Sequence, residues 1–272
     1  MNHLLREHAP ITDAGWKLID EEARERLLPG LASRRLVDFS GPHGWERSAT
    51  NLGRVERVDV SELEGVEANR RVVLALIELR ARFEVSREEL RAGDRGAQDV
   101  DFDELDAATQ RIVEAENTAV FHAWPKAGIA GITASSPHEA IVRGAGFEDY
   151  TGCVARAVEL LLRSGVAGPY GLALGREDYT SVVETAEHGG YPLLDHLRNI
   201  IKGPIVWAPG VTGAVVVSMR GGDFALESGQ DISVGYSSHD AEVVSLYLEE
   251  SYSFRVLTPE AAVAIEPPKG VS

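Results

Sequence analysis

The residues best suited to chemistry in this 272-residue chain are one cysteine and eight histidines. A nucleophilic thiolate needs an accessible, electropositive setting. Cys153 instead sits beside Val154 and Ala157 on the apolar stripe of a predicted helix over 150–162, which suits a buried structural thiol. None of the histidines falls in an H-E-x-x-H pattern, and none follows a glutamate at the E-x-x-H spacing of di-iron bundles. His188 and His196 are separated by a predicted loop–helix boundary, so no metal site within one chain is expected. Carboxylate pairs such as Glu114 and Glu116 read as a solvated helix face, because acidic residues (43) outnumber basic ones (27) throughout. Nucleophile elbows, dinucleotide loops and phosphate loops are missing too. The reading is therefore no catalytic residue, no metal and no cofactor.

A net charge of −16 repels nucleic acid and anionic membranes, so neither is an expected partner. The lone cysteine cannot form an internal disulfide, which suits a reducing cytoplasm. The start, 1–10, has no apolar signal region, no stretch is long enough to span a membrane, and 267–272 reads as a soft tail. Mean hydropathy of −0.12 with 44% hydrophobic residues is that of a globular chain with a substantial core.

The elements follow from periodicity. Thr12 or Asp13 caps a helix whose Trp16, Ile19, Ala23 and Leu27 form one stripe, ended by Pro29-Gly30. Val55, Val58 and Val60 begin one extended run and 72–83 forms a second, longer one, together a hairpin too long for a compact core. Its far end needs another surface, and a second subunit is the natural one. The longest helical pattern covers 101–123, with Asp101, Asp103 and Glu104 in its first turn. An α/β lobe is expected over 132–220, and from 221 the chain turns β-rich, with strands at 221–224, 232–236, 243–254 and 261–265.

Several blocks in order resemble the encapsulin shell proteins, the linocin-like family. They include His8-Ala9-Pro10-Ile11-Thr12 with Trp16 and Ile19-Asp20, Arg34-Arg35-Leu36-Val37-Asp38, and Gly41-Pro42-His43-Gly44-Trp45-Glu46. Further matches are Ile77-Glu78-Leu79-Arg80, Gly168-Pro169-Tyr170, His188-Gly189-Gly190-Tyr191-Pro192, Arg220-Gly221-Gly222-Asp223-Phe224 and Gly229-Gln230-Asp231-Ile232-Ser233-Val234-Gly235-Tyr236. The resemblance implies an α+β, HK97-like capsid protein fold. Its parts are an N-terminal helix and the start of the P-domain (1–46), an E-loop β-hairpin (47–82), a P-domain with spine helix (83–131), an A-domain (132–220), and P-domain strands with a tail (221–272). It also implies a homo-oligomeric icosahedral shell, about 60 copies in the smallest form. The shell would enclose a peroxidase or ferritin-like iron oxidase through that cargo's C-terminal targeting peptide.

The positions matching the peptide groove are Leu27, Leu31, Leu36, Val37, Asp38, Ile232, Val234 and Tyr236. Those matching the five-fold pore loop are Glu187, His188, Gly189, Gly190 and Tyr191, where a ring of carboxylates would favour cations. Ser33 stands where many relatives have glycine, and 86–89 offers no aromatic ring for the flavin that some members carry. A phage or prophage major capsid protein shares the fold and is the first alternative. A hydrolase or bacteriocin is the second.

Overall fold

The computed structural model describes residues 3–59, 65–144, 149–185 and 192–268. The first helix, α1 (Asp13–Leu27), starts where the Thr12 hydroxyl accepts the Gly15 N–H at 3.0 Å, and it buries the expected Trp16, Ile19, Ala23 and Leu27. A short turn of helix, α2 (Ser33–Leu36), and strand β1 (Asp38–Ser40) follow.

Strands β2 (Ala49–Val58) and β3 (Ala68–Ala75) then pair with each other alone, as a two-stranded arm. Their surface is mostly exposed, including Val55, Val58 and Val73, and Val66 just before β3 is exposed too. This arm is shorter than the sequence suggested. The single strand expected over 72–83 divides at Leu76. Beyond it, β4 (Ile77–Ser86) leaves the arm and pairs antiparallel with a late strand in the body. Its alternate residues Leu79, Ala81, Phe83 and Val85 are buried, which fixes it to the core by its period of two. Residues 77–82 thus belong to the body rather than to the hairpin.

Helix α3 (Arg87–Asp94) leads to the spine helix α4 (Asp103–Phe121), whose acidic first turn suits the helix dipole. Leu105, Ala108, Ile112, Ala119 and Val120 form its buried stripe. Glu116 lies on that stripe, one turn after Ile112, and is fully buried. The reading of Glu116 as solvated is corrected, whereas Glu114 is exposed as expected.

The second lobe contains α5 (Ile132–Ser135), β5 (Ile141–Val142), α6 (Tyr150–Arg163), β6 (Tyr170–Leu174), α7 (Arg176–Glu184), α8 (Leu193–Ile201), β7 (Ile205–Trp207) and β8 (Ala214–Ser218). Every residue of β6 and β8 is buried, as in a sheet covered on both faces. Cys153 is fully buried on α6, as its stripe predicted.

The chain then returns to the first lobe with β9 (Phe224–Ser228), β10 (Ser233–His239) and the 14-residue β11 (Val243–Val256). Residues 221–223, expected to open a strand, form a turn instead: Gly221 and Gly222 both adopt left-handed backbone, and the Gly222 N–H is held by Asp38 at 2.6 Å. One half of β11 is flanked by β4 and β10 and the other half pairs with β9, which pairs in turn with β1. The last strand, β12 (Ala262–Glu266), was expected among these late strands. It inserts instead between β5 and β8, giving the order β5-β12-β8-β6-β7, because Ala262, Val263 and Ile265 are needed to complete that lobe's core.

Candidate functional site

An open groove of about 420 Å³ lies between the end of α1 and strand β10. Its wall on one side is Leu27, Leu28 and Leu31, and on the other Ile232 and Val234, with Leu4 and Leu248 behind. The turn that carries Leu31 is set by Asn117 of the spine helix. Its amide donates to the carbonyls of Gly30 and Pro209 at 2.8 and 3.0 Å, while its oxygen accepts the Ser33 N–H at 3.1 Å. Gly30 is required here because a Cβ would meet the Val113 side chain at 2.7 Å. The N-terminal segment closes one end. His3 stacks on Trp45 with ring centroids 4.5 Å apart, and the Leu4 carbonyl accepts the Tyr236 N–H at 2.9 Å.

The eight residues expected to form the groove divide. Leu27, Leu31, Ile232 and Val234 come together in it. Leu36, Val37 and Asp38 line a separate crevice of about 50 Å³ beside the Gly221–Gly222 turn, where Asp38 acts as the cap of that turn. Tyr236 reaches the groove only through its backbone; its hydroxyl bonds His239 at 2.6 Å. Leu4 and Leu28 were missed. Leu4 lies in a segment with no periodic pattern, and Leu28 follows the stripe by one residue, so it is 57% exposed at the lip. The pore-loop residues Glu187, His188, Gly189, Gly190 and Tyr191 lie outside the described residues.

Arg34 forms the polar floor. Its Nε and Nη2 reach Glu116 at 2.8 and 2.7 Å, Nη2 also reaches Glu250 at 2.8 Å, and Nη1 reaches Asp231 at 2.5 Å. The Ser33 hydroxyl donates to Glu116 as well, which gives the residue standing in place of glycine a structural task. Burial alone would lower the guanidinium's pKa, but the carboxylates of Glu116, Glu250 and Asp231 hold it above its ordinary value. One cation thereby joins α2, α4, β11 and the turn before β10.

A mostly antiparallel sheet backed by a spine helix, with an outstretched two-stranded arm and a second α/β lobe, is the HK97-type fold of capsid proteins. Solved structures agree on the fold. The virus-like particle of Pyrococcus furiosus superposes with a TM-score of 0.59 at 18% identity, covering 90% of this chain and 98% of its own. A chain of Mycobacterium phage Bobi gives 0.55 at 16%, covering 89% and 91%.

Sequence narrows the class. The family described as "Encapsulating protein for peroxidase" matches residues 1–253. The type 1 encapsulin shell protein of Rhodospirillum rubrum is 46% identical over 270 residues, 97% of this chain and 96% of the relative. That of Mycobacterium tuberculosis is 38% identical over 266 residues, 97% and 99% respectively. This chain belongs to the encapsulin shell-protein family, and both of these relatives are named as shell proteins rather than as enzymes. Among the described residues, no helix is long and apolar enough to cross a membrane.

Proposed function

We propose that this chain assembles into a closed icosahedral shell of about 60 copies that encloses a peroxidase or a ferritin-like iron oxidase. The groove between α1 and β10 seats the cargo's C-terminal targeting peptide. The observation that carries the peptide seat is the open apolar stretch of the lining: leucines and β-branched residues from both sides face a space that the described residues leave unfilled, with Leu28 57% exposed at its edge. An extended peptide placing two apolar side chains there gains about 1.5–3 kcal/mol for each one fully buried. Two findings favour the cargo classes. The matching family is described by its peroxidase, and a ferritin-like–encapsulin shell fusion protein of Pyrococcus furiosus is 26% identical over 102 residues, 37% of this chain.

Leu28→Glu tests the seat without disturbing the core, since the side chain is already at the surface. Shells should still form, while retention of a co-expressed peroxidase carrying its C-terminal tag should fall at least about tenfold, as expected for roughly 1.4 kcal/mol. Pull-down of the tagged peroxidase with purified shells reads the result. Undiminished retention would exclude this groove.

Glu187 and His188 are read as a ring around the five-fold axis, with carboxylates that attract cations. In shells loaded with a ferritin-like cargo, replacing both residues with alanine should slow Fe(II) uptake. Equal uptake rates would remove the pore assignment and leave the groove untouched.

A further inference from the structure

Behind the groove, two glutamates from different elements share one guanidinium. Glu116 of α4 and Glu250 of β11 are both buried, and the same Arg34 nitrogen, Nη2, lies 2.7 Å from an oxygen of Glu116 and donates to Glu250 at 2.8 Å. The two carboxyl groups therefore share a buried site with one guanidinium, and two carboxylates so placed favour a proton on one of them. Among the described residues, the other Glu250 oxygen, Oε1, has no donor, and the nearby Tyr252 hydroxyl has no partner. A buried carboxylate oxygen left without a donor is costly. Protonation removes that cost by turning an unpartnered acceptor into a donor.

We propose that Glu116 and Glu250 form a carboxyl–carboxylate pair that stores one proton at neutral pH, a latch joining the Ser33–Arg34 turn, the spine helix and β11 that loosens when alkali removes the proton. The groups facing the pair are Arg34 with Ser33 from α2, Asp231 from the turn before β10, and Tyr252 from β11 itself. Glu249, the neighbour in sequence, points to the opposite face, toward His3 and Arg80.

The direction of the pH effect follows from the surroundings. Burial, and after it the negative charge of Glu116, push the Glu250 carboxyl well above the ordinary carboxylate range, against the pull of Arg34. The unfolded chain releases this proton near the ordinary value of about 4.3. The stabilisation is therefore complete below that value and lost as pH rises through the folded one. Arg34 stays charged throughout, so the proton lost is the carboxyl's.

The test uses empty shells, so it is independent of any cargo. Denaturing wild-type shells in weakly buffered solution at pH 7 should release about one more proton per chain than denaturing Glu250→Gln shells. Glutamine keeps the neutral form but has no proton to lose. Equal release overturns the proposal. Should that variant fail to fold, Glu116→Gln gives the same readout, because Glu250 then becomes a simple ion pair with Arg34. Wild-type shells at pH 7 should in addition show the infrared C=O band of a protonated carboxyl that fades as alkali loosens the particle. Absence of that band at pH 7 also overturns it.

Discussion

Replacing Arg34 with alanine is expected to cost about 3–5 kcal/mol, because it leaves buried carboxyl groups without their cation. Against a typical domain margin of about 5–15 kcal/mol, that is enough to remove most soluble shell. The side chain is 13% exposed and no other cation is bonded to Glu116 or Glu250 among the described residues, so nothing nearby replaces it. Arg34→Lys should recover only part of the loss. An ammonium restores the charge, but it lacks the planar fork that reaches Glu116, Glu250 and Asp231 together. Urea unfolding of the purified protein, with the yield of sedimentable particles, measures both variants. A loss below about 1 kcal/mol for the alanine variant would mean that the cluster behaves as a surface ion pair.

The second large effect concerns the arm. Joining Thr50 directly to Leu74 by a two-residue turn removes the hairpin beyond its last body-anchored pair. The base is held by bonds of Thr50 to Glu227 and Ser253, at 2.9 and 2.8 Å, and these remain. The body should therefore keep its cooperative melt. Assembly should fail, because the arm's Val55, Val58, Val66 and Val73 are exposed in the single subunit. If each valine were buried against a neighbour at about 1.5 kcal/mol, their loss would weaken every contact by orders of magnitude in association constant. Arg54 and Arg71, which have no ion-pair partner among the described residues, would give the same contact a salt dependence on this acidic shell. Size-exclusion chromatography and negative-stain microscopy decide the outcome. Normal hollow particles from the shortened chain would show that the arm is dispensable.

How much was legible in the sequence depended on whether one local signal decided the structure. The first helix was readable because a cap at Thr12 or Asp13, the 16/19/23/27 stripe and Pro29-Gly30 all agree, and the spine helix because its acidic first turn and its apolar stripe do. The division of 72–83 was not. Val, Leu and Ile continue on both sides of Leu76, and only pairing with β11, about 170 residues away, pulls 77–86 into the body. Placement of β12 failed for the same reason, since an apolar strand does not name its sheet. Glu116 was misread because composition outweighed position: one turn after Ile112 it had to face the core, and its partner Arg34 is 82 residues distant. Half the groove was legible, because Leu27 and Val234 belong to periodic elements, while Leu4 sits in a segment without any pattern.

The placement of β12 has a consequence for the order of folding. This strand is hydrogen-bonded along both edges, to β5 and to β8, and it comes from residues 262–266 of 272. Among the described residues β5 pairs with no other strand, and its Ile141 meets Ile265, about 120 residues further along the chain. A contact of such sequence separation forms late. Until β12 docks, β8 stays bare along one side and β5 has no sheet to join.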